Sequence, residues 1–147
     1  MLFCLLYLVN ATFNYPSTKQ LIYEEENPYY YLQVKEIEDA RYLLVSQCGG
    51  VWLKSVQGRF FTGRYWDYPL VSTAFTNDTK HVIILGLAAG STAKSFTAAL
   101  PHVMIDGVEI DSLVVDIGER YFNMSTCKLN SIISDGRLFV KTTKKQV

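Results

Sequence analysis

Continuous apolar runs and helix-spaced apolar positions alternate in the second half of this chain. The runs at residues 82–85 and 103–110 have the length of buried strands and are too short for buried helices. Between them, residues 93–100 place apolar side chains at helical spacing. The order strand, helix, strand predicts a βαβ unit with parallel strands.

The pattern also predicts where these elements begin and end. Ser91 or Thr92 offers a hydroxyl to cap the first helix, which Pro101 ends. A second helix is predicted over residues 112–121, capped by Asp111 or Ser112, and a third strand over residues 130–134. Residues 138–140 begin a further helix or strand.

The first half of the chain has shorter, β-rich pieces. Residues 21–23, 29–34 and 42–45 predict antiparallel strands, with turns at Asp39-Ala40 and Gly49-Gly50. A helix is predicted between Arg64 and Phe75, although Pro69 restricts its course. We therefore divide the chain into an apolar N-terminal segment at residues 1–19, a β-rich part at 20–63 and an α/β part at 64–147.

Composition narrows the choice of partner and compartment. With 147 residues, 49% of them hydrophobic, the chain can build a core, and its net charge of zero gives no footprint for nucleic acid. Three cysteines without close spacing indicate a reducing, cytoplasmic compartment and no metal site. Residues 1–13 are strongly apolar, yet a membrane span needs about 20 such residues. A membrane-helix remnant, and so membrane association, and an apolar strand both stay open.

Small residues occupy the bend after the first predicted strand, at Gly86, Ala88, Ala89 and Gly90. Small side chains let the backbone approach a ligand, and the following helix points its free N–H groups at that ligand. The dinucleotide fingerprint fits poorly, because Ala88 and Ser91 stand where its later glycines belong. We therefore expect no pyrophosphate cradle in this small-residue bend (residues 86–90). Ordinary turn chemistry is the alternative.

Acidic side chains follow the next two predicted strands. Glu109 and Asp111 end the second strand, and Asp135 with Gly136 follows the third. Because the carboxyl ends of parallel strands meet at one edge, these carboxylates should lie near the bend. Glu109 can accept hydrogen bonds from two ribose hydroxyls, and Asp135 can accept one from the exocyclic amine of adenine. The pattern predicts a site for an adenosine-type small molecule that carries a thioether or sulfonium group and no phosphate.

Ordered motifs over residues 21–140 resemble the spermidine synthase family. They are GLAAGSTA at 86–93, GVEID at 107–111, RYF at 120–122 and DGR at 135–137. The upstream stretches YEEENPY at 23–29 and TGRYWDY at 62–68 resemble, more specifically, the spermidine synthase-like branch that is often joined to membrane-spanning segments.

The resemblance implies a fold and an activity. It implies a small β-rich domain followed by the first half of a Rossmann-like, class I methyltransferase-like parallel sheet. The implied reaction is aminopropyl transfer from decarboxylated S-adenosylmethionine to a diamine such as putrescine, with no permanently bound cofactor. Decarboxylated S-adenosylmethionine or S-adenosylmethionine would be the co-substrate, a polyamine a partner, and a homo-oligomer the assembly. Gln33 is implied near the nucleoside and Tyr65 on the substrate side.

Three departures keep two alternatives open. Trp66 stands where polyamine-making members commonly have glutamine, and Ala89 where they have the aspartate that holds the donor amine. In the family, the aspartates of the next strand accept the proton of the attacking amine. This sequence does not contain that strand, so we expect a C-terminally truncated chain. We can name no catalytic residue, and residues 82–85 would form an open edge. The alternatives are a methyltransferase or other S-adenosylmethionine binder, and a non-catalytic nucleoside-binding or assembly module.

Overall fold

The computed structural model describes residues 21–38, 40–46, 50–56, 61, 63, 65–76 and 78–143, with residues 46 and 50–56 described by their backbone. The apolar segment predicted at residues 1–19 and the turn residues Asp39 and Gly49 lie outside the described residues. Within the described part of the chain, no helix is both long enough and apolar enough to cross a bilayer.

Four antiparallel strands form the first sheet, in chain order. They are β1 (Leu21–Glu26), β2 (Tyr31–Ile37), β3 (Ala40–Ser46) and β4 (Gly50–Val56). The antiparallel strands predicted here are confirmed. Ala40 was predicted in a turn, but it pairs with Ile37 in the β2–β3 ladder. The turn lies before it, at Glu38, whose φ is 57°.

A 3₁₀ helix, Tyr65–Phe75, connects the two sheets, where the sequence predicted a helix. Its hydroxyls favour the tighter winding, since Ser72 Oγ donates to the carbonyl of Pro69 and Thr73 Oγ1 donates to that of Leu70. Pro69 lies inside this helix without ending it.

The rest of the described chain has three parallel strands, three α-helices and a short 3₁₀ helix (Met124–Thr126), which confirms the predicted α/β class. The strands are β5 (His81–Leu85), β6 (Met104–Glu109) and β7 (Leu129–Ile133), in that order. The helices are α1 (Ser91–Ala99), α2 (Ser112–Phe122) and α3 (Gly136–Thr142). Within the described residues, β5 pairs with β6 alone.

The cap of α1 differs from the prediction. Its N-cap is Gly90, with φ 81° and no side-chain hydrogen bond, rather than a hydroxyl of Ser91 or Thr92. A Cβ on Gly90 would lie 2.6 Å from Met124 Cγ. Glycine fits here for two reasons: it adopts the left-handed backbone easily, and it leaves room for Met124. The cap of α2 is Asp111, as predicted, and it accepts from the backbone N–H of Leu113.

Helix α2 packs against both sheets and joins them into one body. Towards the first sheet, Val114, Ile117 and Phe122 pack with side chains of β2 and β3. Towards the parallel sheet, Val115 packs in a second cluster with residues of α1 and β6. Leu113 and Tyr121 of α2 are half-buried and pack against the same first cluster.

A polar pair joins the strands at the amino-terminal edge of the parallel sheet. Asp106 is 3% exposed and accepts a hydrogen bond of 2.8 Å from Asn130 Nδ2. His81 Nε2 lies 3.0 Å from the other carboxylate oxygen of Asp106. Asp106 and Asn130 are register partners, so the hydrogen bond links β6 to β7 directly across the ladder.

Candidate nucleoside site

A cavity of about 850 Å³ lies at the carboxyl-terminal edge of the parallel sheet. Residues 86–88 of the bend, the end of β6 and the start of α3 all line it. Tyr30 of the β1–β2 turn and Tyr65 and Trp66 of the 3₁₀ helix also line it, and we call these three residues the aromatic wall. The volume lies in the range of small-molecule sites.

Glu109 fastens the small-residue bend to β6. Its Oε2 accepts from the backbone N–H of Ala88 at 2.9 Å, and its Oε1 accepts from the N–H groups of Ile110 at 2.9 Å and Asp111 at 3.3 Å. Each carboxylate oxygen has two lone pairs, so Oε2 can still accept a ligand hydroxyl. Glu109 therefore lines the cavity while it holds the bend in place.

Asp135 lies on the α3 side of the same cavity, next to Gly136. Its Oδ1 accepts from the backbone N–H of Arg137 at 2.7 Å and of Leu138 at 3.3 Å, which makes it the N-cap of α3. The Arg137 side chain, 3.2 Å from Oδ2, and these N–H groups hold the pKa of Asp135 below its usual value. Asp135 is therefore an ionised acceptor at neutral pH.

Only part of the bend faces the cavity. Gly86 and Ala88 line it, with φ values of 82° and 49°. Ala89 and Gly90, both proposed from the sequence as contacts, point away: Ala89 is fully buried in the core between α2 and the first sheet, and Gly90 is packed on Met124. Leu87 also lines the cavity, so the chain leaves the cavity after the left-handed turn at Ala88.

Two other predicted contacts lie elsewhere. Gln33 does not line the cavity, because strand alternation puts Leu32 and Val34 inside and sends Gln33 to the outer face, where it donates to Glu24 and Tyr31. Asp111 is 2% exposed and is occupied by the α2 cap and by Asn27 Nδ2 at 2.7 Å. Tyr65, in contrast, does line the cavity.

Asn27 is a positioning residue that sequence reasoning missed. Its Oδ1 accepts from the backbone N–H groups of Tyr29 and Tyr30, at 2.9 and 2.8 Å, while its Nδ2 reaches Asp111. This fixes the β1–β2 turn and with it Tyr30 of the aromatic wall. The signal was present, since asparagine before proline between two strands commonly forms such a side-chain turn.

Side-chain hydrogen bonds also anchor the 3₁₀ helix to α1. Thr92 Oγ1 donates to the carbonyl of Trp66 at 3.0 Å, and Ser95 Oγ donates to Asp67 Oδ1 at 2.7 Å. The Tyr65 and Trp66 rings meet edge to face, with centroids 4.7 Å apart. Among the described residues, no group of histidine, cysteine and acidic side chains is arranged to hold a metal ion.

In sequence, the chain is similar to known transferases. No family model matches the chain. It is 34% identical, over 103 residues, to a probable polyamine aminopropyl transferase of Bifidobacterium longum, a match that covers 70% of this chain and 23% of the relative. It is also 34% identical, over 68 residues, to an eEF1A lysine and N-terminal methyltransferase homolog of Drosophila pseudoobscura pseudoobscura, covering 46% of this chain and 10% of that protein.

Solved structures share the fold. A spermidine synthase in complex with the transition state analogue AdoDATO superposes with a TM-score of 0.68 at 19% identity, covering 85% of this chain and 43% of that one. The chain spans less than half the length of these relatives. The resemblance in the motifs is thus matched by both sequence and fold.

Proposed function

We propose, from the premise that this chain belongs to the spermidine synthase family, that its cavity binds the nucleoside part of decarboxylated S-adenosylmethionine for aminopropyl transfer to a diamine such as putrescine. The observation that carries the proposal is the presence of Glu109, Asp135 and the bend in one cavity. In this assignment Glu109 Oε2 accepts from the ribose and Asp135 accepts from the adenine amine. Gly86 and Ala88 lie against the sulfur-bearing chain.

The reaction sets out what the residues must do. The amine forms a bond to the methylene carbon next to the sulfonium, the carbon–sulfur bond breaks, and the sulfur leaves as the neutral thioether of methylthioadenosine. The attacking amine must lose a proton to a base. Among the described residues we assign binding and orientation alone, and no side chain is assigned as that base.

Methyl transfer from S-adenosylmethionine is the second candidate. The family's donor-binding aspartate is replaced by Ala89, which lies in the core, away from the cavity. The carboxylate contact by which the family is expected to favour the decarboxylated donor is therefore missing at residue 89. The similarity to a methyltransferase homolog points the same way.

Titration calorimetry with methylthioadenosine, S-adenosylmethionine and decarboxylated S-adenosylmethionine tests the proposal. We expect all three to bind and the decarboxylated donor to bind tightest. Tighter binding of S-adenosylmethionine would favour the methyl-transfer candidate, and no binding of any ligand would favour a non-catalytic module.

A matched pair of variants tests the site assignment. Glu109→Ala should abolish binding, whereas Glu119→Ala, on the exposed side of α2, should leave it unchanged. Unchanged affinity in Glu109→Ala would show that the nucleoside binds elsewhere.

A further inference from the structure

The proposed donor is a cation, and both carboxylates of the described cavity lining are already assigned to its ribose and its adenine. Four of the described lining residues carry a charge, and their signs cancel: Glu109, Asp135, Arg137 and Lys141. Glu109 is hydrogen-bonded to three backbone N–H groups, and Asp135 to two and to Arg137. The positive charge of a sulfonium therefore needs another kind of partner.

The aromatic wall is such a partner. An aromatic ring has a negative face that attracts cations within about 6 Å of its centre, and tryptophan does so most strongly. Tyr30, Tyr65 and Trp66 all line the same cavity as the bend. Because the Tyr65 and Trp66 rings meet edge to face, the two rings support each other's orientation.

Trp66 is the member of the wall that is tied to the bend. Thr92, whose hydroxyl holds the carbonyl of Trp66, belongs to the first turn of α1, directly after the bend. Ser95, one turn later, holds the neighbouring Asp67. The hydrogen bonds fix the backbone of Trp66 relative to the residues on which the sulfur is proposed to lie.

We propose that Trp66 binds the sulfonium of the donor through its ring face and is a specificity-determining residue of this site. The inference rests on the proposed function, because it needs the nucleoside in this cavity. It has a consequence for turnover: once the carbon–sulfur bond breaks, the sulfur is neutral and the attraction to the ring is lost. Trp66 thus favours the donor over the product, for aminopropyl and for methyl transfer alike.

The test compares two ligands that differ in sulfur charge, S-adenosylmethionine and S-adenosylhomocysteine, by titration calorimetry. Trp66→Leu should lower the affinity for S-adenosylmethionine by about 5- to 30-fold and change the affinity for S-adenosylhomocysteine by no more than about twofold. Trp66→Phe should retain part of the preference. Tyr68→Leu, an exposed aromatic of the same 3₁₀ helix outside the cavity lining, is the matched control and should change neither affinity.

The outcomes separate the two proposals. If Trp66→Leu lowered the affinity for both ligands equally, the ring would make apolar contact alone, and the inference would be overturned. No change in either affinity would also overturn it. In both cases the proposed function would stand. Failure of the wild-type chain to bind either ligand would overturn the proposed function, and the inference with it. Thermal unfolding of each variant checks that the fold is intact, and Trp66→Phe keeps the test decisive if Trp66→Leu unfolds.

Discussion

The backbone N–H of Ala88 and the Oε2 atom of Glu109 lie 2.9 Å apart, so the residue proposed to bind ribose also fixes the bend beside it. The contact joins β6 to the loop after β5, 21 residues earlier in the chain. The bend is therefore already formed before a ligand binds. Preformed loops of this kind reduce the ordering cost of binding.

Glu109→Gln should therefore lower both stability and affinity. The amide keeps the shape of the side chain but loses one acceptor oxygen in a buried place, at a cost of about 1–3 kcal/mol in the free energy of unfolding. Methylthioadenosine affinity should fall by at least about tenfold. Urea unfolding and calorimetry measure the two effects, with Glu119→Gln as the exposed control. Lost affinity at full stability would mean that the bend does not depend on Glu109.

Gly90→Ala should destabilise the chain through two separable causes. A left-handed backbone costs a side chain about 1–2 kcal/mol, and the new Cβ would meet Met124, which adds about 1–3 kcal/mol. Gly63→Ala is the control, because Gly63 has φ 70° and no described residue comes within 4 Å of its Cβ position, so this variant should show the first cost alone. Met124→Ala in the Gly90→Ala background should recover part of the second cost. Additive single effects in that cycle would contradict the contact.

Asn27→Asp should destabilise the chain more at pH 7 than at pH 3. The new carboxylate keeps an oxygen for the Tyr29 and Tyr30 N–H groups but faces Asp111, where the amide Nδ2 now donates at 2.7 Å. We expect a loss of about 2–4 kcal/mol in the free energy of unfolding at neutral pH. Protonation at low pH restores a donor, so the loss should shrink. Asn27→Ala removes the amide without adding charge, and equal losses for both variants at pH 7 would rule out repulsion.

Cys127 should be less reactive in the folded chain than in the unfolded chain. Burial raises the pKa of its thiol, although Thr97, Lys94 and Thr126 act in the opposite direction. A raised pKa leaves less thiolate at mildly alkaline pH, and the corresponding stability is present below the unfolded pKa and lost as pH rises through the folded pKa. Iodoacetamide labelling, followed on the Cys127 peptide by mass spectrometry with and without urea, measures the rates. Equal rates would show an open thiol.

The order of elements was predictable because apolar runs and turns carry local information. The runs at 82–85 and 103–110 became β5 and β6, and the helix between them followed from its spacing. The direction of individual side chains at the site was harder to predict. Gln33 lies outside because alternation along β2 is fixed by which neighbours the α2 helix buries.

In the bend, too, the direction of individual side chains could not be predicted from the sequence. Ala88 and Ala89 are identical in type and adjacent, yet one faces the cavity and the other the core. The difference arises from the positive φ of Ala88, which is held by a carboxylate on another strand. Asp111 was likewise predicted as a cap but not as a partner of Asn27, which is 84 residues away in sequence.

The Asp106–Asn130 hydrogen bond at the far edge of the parallel sheet has a consequence for protein engineering. It sets the alignment of β6 with β7, and the same alignment places Glu109 opposite Ile133, just before Asp135. A shift of one residue would reverse every side chain of the strand. Any chimera that grafts this nucleoside edge onto another scaffold must therefore carry Asp106 and Asn130 along, although neither would touch the ligand.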